Sequence, residues 1–146
     1  TGFQSVALDS ISEVAEVVLH HEMKKNKDGR AAYGEMNTTM QELIRAFRDL
    51  PGKHVYMSAK LEKSQDEMGK MLYNPGMPGK SLTQGLPYFF DEVLALRVER
   101  DAEGVTQRAL MCDSDGIWLA KDRSGKLEAW EAPDLGGIIT KIGGKQ

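Results

Sequence analysis

One cysteine, Cys112, stands alone among 146 residues, which excludes an internal disulfide and fits a reducing, cytoplasmic setting. No run approaches the roughly 20 apolar residues of a membrane-spanning helix, and no secretory leader pattern opens the chain. An excess of one charge is also missing: 19 Lys and Arg against 22 Asp and Glu leave a net charge of −3. The surface as a whole does not attract a polyanion, so any DNA contact must come from local basic segments. Histidine is scarce. His20 and His21 are adjacent, so on a helix they point in different directions, and His54 has no carboxylate or cysteine partner at ligand spacing. No Ser-His-Asp arrangement can be argued, and there is no internal repeat or low-complexity tract.

A phosphate-binding loop is absent as well. That loop needs G-x-x-x-x-G-K-[ST], with glycines that let backbone amides wrap the phosphates. Gly79-Lys80-Ser81 supplies only its end; Asn74 occupies the first glycine position, and no strand is expected to run directly into it. Thr1-Gly2-Phe3 is not an initiator sequence, and an apolar strand begins almost at once. The expectation is a piece of a longer chain, folded as a single domain over residues 1–146.

What is present reads as α/β. Residues 3–8 form a short apolar run, expected to be a buried strand, ending in Asp9-Ser10. Ser10-Ile11-Ser12-Glu13 is a capping box, and Ile11, Val14, Ala15 and Val18 continue at helical spacing. Residues 24–34 read as a basic loop; a second helix then carries Met36, Met40, Leu43, Ile44 and Phe47 on one face until Pro51-Gly52. Residues 54–59 read as the next strand. Strand, helix and strand over this length predict a parallel crossover. Residues 61–80 read as a long loop, 81–90 as a short helix, and 93–98, 106–112 and 117–121 as strands of an antiparallel edge. A last short helix is expected within 133–142.

Several residues can carry chemistry. A carboxylate at the carboxyl end of a parallel strand lies at the crevice where open α/β sheets bind ligands. In phosphate-handling ATPases such an Asp holds Mg²⁺, commonly through water. Asp9 fits that position, although a capping or turn Asp after a core strand makes the same pattern. Lys121 and Arg123 follow an apolar strand and can aim two cations at a neighbour's phosphates, as an arginine finger acting in trans does; a polar turn is the plain alternative. Residues 24–34 bring Lys24, Lys25, Lys27, Arg30 and Tyr33, and residues 60–80 bring Lys60, Lys63, Lys70, Tyr73 and Lys80. Such groups neutralise backbone phosphates and stack on unpaired bases. Glu62, Asp66 and Glu67 dilute that charge, so solvated loops are an equal reading. Trp118 and Trp130 read as packing residues, and Cys112 as a buried structural thiol.

The order of these segments resembles a family. VALDSISEV (6–14) is similar to the Walker B strand and following helix of RecA-like ATPases. HVYMSAKLEK (54–63) resembles their next strand, whose end senses nucleotide and opens into a second DNA-binding loop. PGKSLTQGLPYFFDEVLALRVERD (78–101) and AKDRSGKL (120–127) resemble the RadA-type segment that closes that loop and the later Lys-x-Arg-x-Gly motif. The overall resemblance is to phage nucleotide-binding proteins of recombination and single-strand annealing, over residues 3 to about 142. It implies the later half of a RecA-like sheet, with ATP and Mg²⁺ as cofactors of the whole parent. It also implies Asp9 as the Mg²⁺-linked acid beside Ser10, Lys60 as a sensor where RecA has Gln, and Lys121 and Arg123 as the trans-acting pair. Lys24, Lys25, Lys27, Arg30, Lys63, Lys70, Tyr73 and Lys80 would face single-stranded DNA in a ring or filament of a phage-encoded protein. The phosphate loop and catalytic Glu of the family are missing, so the chain alone is not expected to hydrolyse ATP. A non-catalytic DNA-binding module and an oligomerisation piece remain the two other readings.

Overall fold

The computed structural model describes residues 2–143, which divide into two compact units: residues within 1–62 and 74–90, and those within 63–73 and 91–146. The architecture is mixed α/β, with a parallel strand pair and antiparallel hairpins, as the sequence led one to expect.

In the first unit, β1 (Ser5–Leu8) and β2 (His54–Met57) pair in parallel, Ser5 opposite His54 and Leu8 opposite Met57. Two helices, α1 (Ile11–Lys25) and α2 (Gly29–Arg48), occupy the crossover between them. Ser10 caps α1 by accepting the Glu13 N–H at 3.3 Å. Glu13 in the first turn and Lys24 and Lys25 in the last complement the helix dipole. Asp28 caps α2 through the Arg30 N–H at 2.9 Å. Ala32, Met36, Met40 and Ile44 then recur every fourth residue and are fully buried, and the last three form one core with Ile11, Ala15, Met77, Leu82 and Leu86. Burial of each larger apolar side chain stabilises the unit by about 1.5–3 kcal/mol.

Three expectations need correction here. The loop at 24–34 shrinks to residues 26–28, because Asp28 starts a helix that carries Gly34 in its interior. The first strand is not fully buried: alternate residues of β1 are exposed, as is Phe3 before it. The long loop at 61–80 is mostly a hairpin, β3 (Lys60–Gln65) with β4 (Met71–Gly76). Its turn is made by Asp66, whose carboxylate accepts the Met68 and Lys70 N–H groups, and by Gly69 at φ 80°. β4 therefore does run toward Gly79-Lys80-Ser81, but it holds Asn74 in extended backbone, where a phosphate loop would need a turning glycine. The helix expected at 81–90 is α3 (Lys80–Gly85) followed by a 3-10 turn (Leu86–Phe89), which Pro87 enters without an N–H to give.

The second unit holds two small antiparallel sheets. β5 (Glu92–Val93) pairs with β8 (Lys121–Asp122). β6 (Ala95–Arg100) pairs with β7 (Thr106–Met111), and β7 with β9 (Trp130–Glu131). α4 (Leu135–Ile142) starts at Asp134, which accepts the Gly136 N–H at 2.9 Å, and seats Ile138 against Leu110 and Cys112. The strand expected at 117–121 is reduced to one bridge between Trp118 and Tyr73 and to β8. The Asp115 carboxylate accepts the Ile117 and Trp118 N–H groups, and the Ser114 hydroxyl donates to the Trp118 carbonyl, so local bonds take groups a ladder needs. Among the described residues no helix is long and apolar enough to cross a membrane.

Candidate functional site

Asp9 lies immediately after β1, at the carboxyl end of the parallel pair, and is exposed. One residue past β2, Ser58 lies beside it: the Ser58 hydroxyl donates to Asp9 Oδ1. Main-chain bonds lock the corner, from Ser58 N–H to the Leu8 carbonyl at 3.0 Å and from Ile11 N–H to the Ser58 carbonyl at 2.9 Å. Ser10, the next residue, caps α1 with its hydroxyl and is joined to Asp9 by a cis peptide bond. The carboxylate, two hydroxyls and the start of a helix thus share one strand end. Ser58 escaped the sequence reading, yet the parallel offset that sets Leu8 opposite Met57 also sets Asp9 opposite Ser58.

Lys60 is close by through its backbone, whose N–H donates to Ser12 Oγ at 2.9 Å. Its ammonium turns to α1 instead, 2.8 Å from Glu16 and 3.3 Å from Glu13. Hydrogen bonds first to Glu16 and then to Glu13 hold it above the usual lysine range. Among the described residues no three His, Cys, Asp or Glu side chains form a metal cage. Carboxylate oxygen, the donor Asp9 offers, is the type that hard cations such as Mg²⁺ take.

Lys121 and Arg123 flank Asp122 in the second unit. Arg123 pairs with Asp91 at 2.8 Å, both side chains largely in water, where such a pair contributes little. Asp122 faces Glu92 across the β5–β8 pair. Burial pushes the Glu92 carboxyl up to about 7, helped by the Asp122 carboxylate, and Glu92 Oε2 is buried without a hydrogen-bond partner. Burial works against ionised Asp122 as well. Bonds from the Ser124 hydroxyl, the Leu127 N–H and protonated Glu92 nonetheless hold it well below the usual range.

A pH dependence follows. A carboxyl whose folded value is raised contributes fully below its unfolded value, near 4.5, and loses that contribution as pH climbs through about 7. Glu92→Gln, neutral throughout, is expected to be more stable than the wild type above pH 7, by about 1 kcal/mol once solvent screening is discounted. That gain should fade on acidification to pH 4.5, and urea unfolding at several pH values checks it.

The basic residues lie in both units. Lys24 and Lys25 end α1, where Lys25 meets Glu22 at 3.1 Å; Lys27 lies in the short linker; Arg30 opens α2 and Lys80 opens α3. Lys63, Lys70 and Tyr73 belong to the hairpin portion of the second unit. The Tyr73 ring stacks on Trp118 with centroids 4.4 Å apart, and Arg97 lies 4.4 Å above Trp118 and 5.7 Å from Trp130. One face of Tyr73 is thus already occupied by Trp118. Cys112 is buried, and that burial, with Glu131, Asp122 and Glu92 nearby, pushes its thiol up to about 11.

The parallel pair with its carboxylate at the strand end belongs to a nucleotide-binding, ATPase-type domain of the P-loop class: residues 1–124 match the family described as AAA domain. The chain belongs to that AAA domain family, and the match ends before β9 and α4. No curated protein and no solved structure matches the chain.

Proposed function

We propose that this chain forms part of a RecA/RadA-like, DNA-dependent ATPase that acts in phage recombination or single-strand annealing. Magnesium-bound ATP supplies the phosphoryl group that is transferred to water. Asp9, whose carboxylate accepts the Ser58 hydroxyl, would hold the cation through water, and Ser10 caps the start of α1 beside it. Lys121 and Arg123 act on the phosphates of an adjoining protomer in a ring or filament, and the exposed Asp91 pairing of Arg123 costs little to release. The observation that carries this reading is the exposed carboxylate of Asp9 at the carboxyl end of the β1–β2 pair, within a chain of the AAA domain family.

Titration with a fluorescent ATP analogue, with and without Mg²⁺, tests it. Asp9→Ala is expected to weaken magnesium-dependent binding about tenfold or more, with far-UV circular dichroism unchanged. Equal affinity of variant and wild type would remove the proposal's basis.

A second reading is a module that binds single-stranded DNA without hydrolysing ATP. It is favoured by the β3–β4 hairpin, whose Lys63 and Lys70 are exposed. Its signature is oligonucleotide binding that falls steeply with salt and ignores ATP.

A further inference from the structure

Among the described residues no strand pairs with the outer edge of β6. In the order β6–β7–β9 it is the terminal strand, and Leu96 and Val98 are more than half exposed on one of its faces. Asp101 N–H donates to the Val105 carbonyl at 3.0 Å, in register with the β6–β7 pairs, so Asp101, Glu99, Arg97 and Ala95 direct their main-chain groups toward β7. The Cys112 N–H to Ala129 carbonyl bond agrees, since it turns Cys112 and Leu110 toward β9 and leaves Met111 for Ala95. The main-chain groups of Leu96, Val98 and Arg100 therefore point away from the sheet.

We infer that this edge pairs antiparallel with β6 of a second copy of the chain, about a two-fold axis at Val98. In that register Val98 faces Val98 of the other copy, and Leu96 faces Arg100, all in hydrogen-bonded positions that form about six main-chain bonds. Arg97 then stands opposite Glu99, twice, at the non-hydrogen-bonded positions where side chains come closest. Within one copy these two side chains already meet at 2.6 Å, so pairing extends a two-charge contact into a four-charge network. Charge also selects the register. Slipping the axis by one residue toward the amino end sets Arg97 against Arg97, and slipping it the other way sets Glu99 against Glu99; like charges directly opposite each other are unfavourable. On the other face Leu96 and Val98 of both copies form one apolar stripe, with the stem of each Arg100 lying over a Leu96. The product is one continuous sheet with three strands from each copy. Its contact is isologous, so it closes as a dimer, unlike the head-to-tail contact of a ring or filament. It does not depend on the nucleotide reading.

Sedimentation equilibrium of the whole chain is the test. The wild type is expected to be in monomer–dimer equilibrium. Val98→Lys, which sets two ammonium groups face to face, is expected to raise the dissociation constant about tenfold or more. Val98→Pro should do the same, because the N–H it removes faces outward and the β7 ladder is untouched. Glu99→Lys alters an exposed side chain and keeps the test decisive should either change at Val98 unfold the hairpin. An isotope-filtered contact between the Arg97 and Glu99 α-protons of different copies confirms the register. A wild type that stays monomeric at millimolar concentration, or dimers that survive the folded variants undiminished, would overturn the inference.

Discussion

Replacing Ser12 by alanine is expected to lower the unfolding free energy by about 3 kcal/mol, although the change removes only one oxygen atom. Ser12 is fully buried in the first turn of α1. Its hydroxyl donates to the Gly76 carbonyl at 2.6 Å and accepts the Lys60 N–H at 2.9 Å, so one atom ties the helix to both strands of the β3–β4 hairpin. Alanine would leave a main-chain donor and a main-chain acceptor unpaired, at about 1–3 kcal/mol each. A carbon placed on Gly76 would lie 2.9 Å from Glu62 Cβ, so the strands here are too close to admit a water readily in the hydroxyl's place. Ser10→Ala, which loses only a helix cap, should cost about 1 kcal/mol in the same urea titration. If the two variants unfold at the same urea concentration, Ser12 is not the tie described here.

Ile44→Ala is expected to cost about 3–4 kcal/mol, comparable to or larger than the Ser12 effect. Ile44 ends the Ala32, Met36, Met40 ladder of α2 and has no exposed surface. Truncation there removes transfer free energy and leaves a cavity in the core that α2 shares with Ile11, Ala15, Met77, Leu82 and Leu86, which close packing keeps from collapsing fully. Val17→Ala, at a position of α1 that is 62% exposed, should change stability by less than about 0.5 kcal/mol. Guanidinium unfolding of both variants separates burial from helix propensity. A small loss at Ile44 would mean that the α1–α2 interface is not the core of its unit.

Most of the first unit was legible because its signals are local. The Ser10–Glu13 box and the stripe from Met36 to Ile44 each lie within a few helical turns, and the β1–β2 pairing follows from two apolar runs separated by helices. Asp9 was legible for the same reason, since it ends one of those runs. The β3–β4 hairpin was not. Its strands are rich in Lys, Glu, Gln, Pro and Gly, residues that mark loops, and the Asp66 turn, the tie to Ser12 and the main-chain bonds of Tyr73 to Ile117 and Leu119 hold them extended. The partners of the candidate residues were equally hidden. Asp91 on Arg123, Glu13 and Glu16 on Lys60, and Trp118 on Tyr73 are each tens of residues away in sequence.

The amino-acid order alone determined where α1 and the body of α2 from Met36 onward run, which face of each is apolar, and that an acid stands at the end of the first strand. Those features depend on caps and spacings that close within one or two helical turns. Tertiary structure decided the rest. It brought Ser58 to Asp9, set Glu92 against Asp122, turned a polar stretch into a hairpin, and left the main-chain groups of Leu96, Val98 and Arg100 facing outward. Each of these arises from which strand lies beside which, and that choice belongs to the packing of the whole chain.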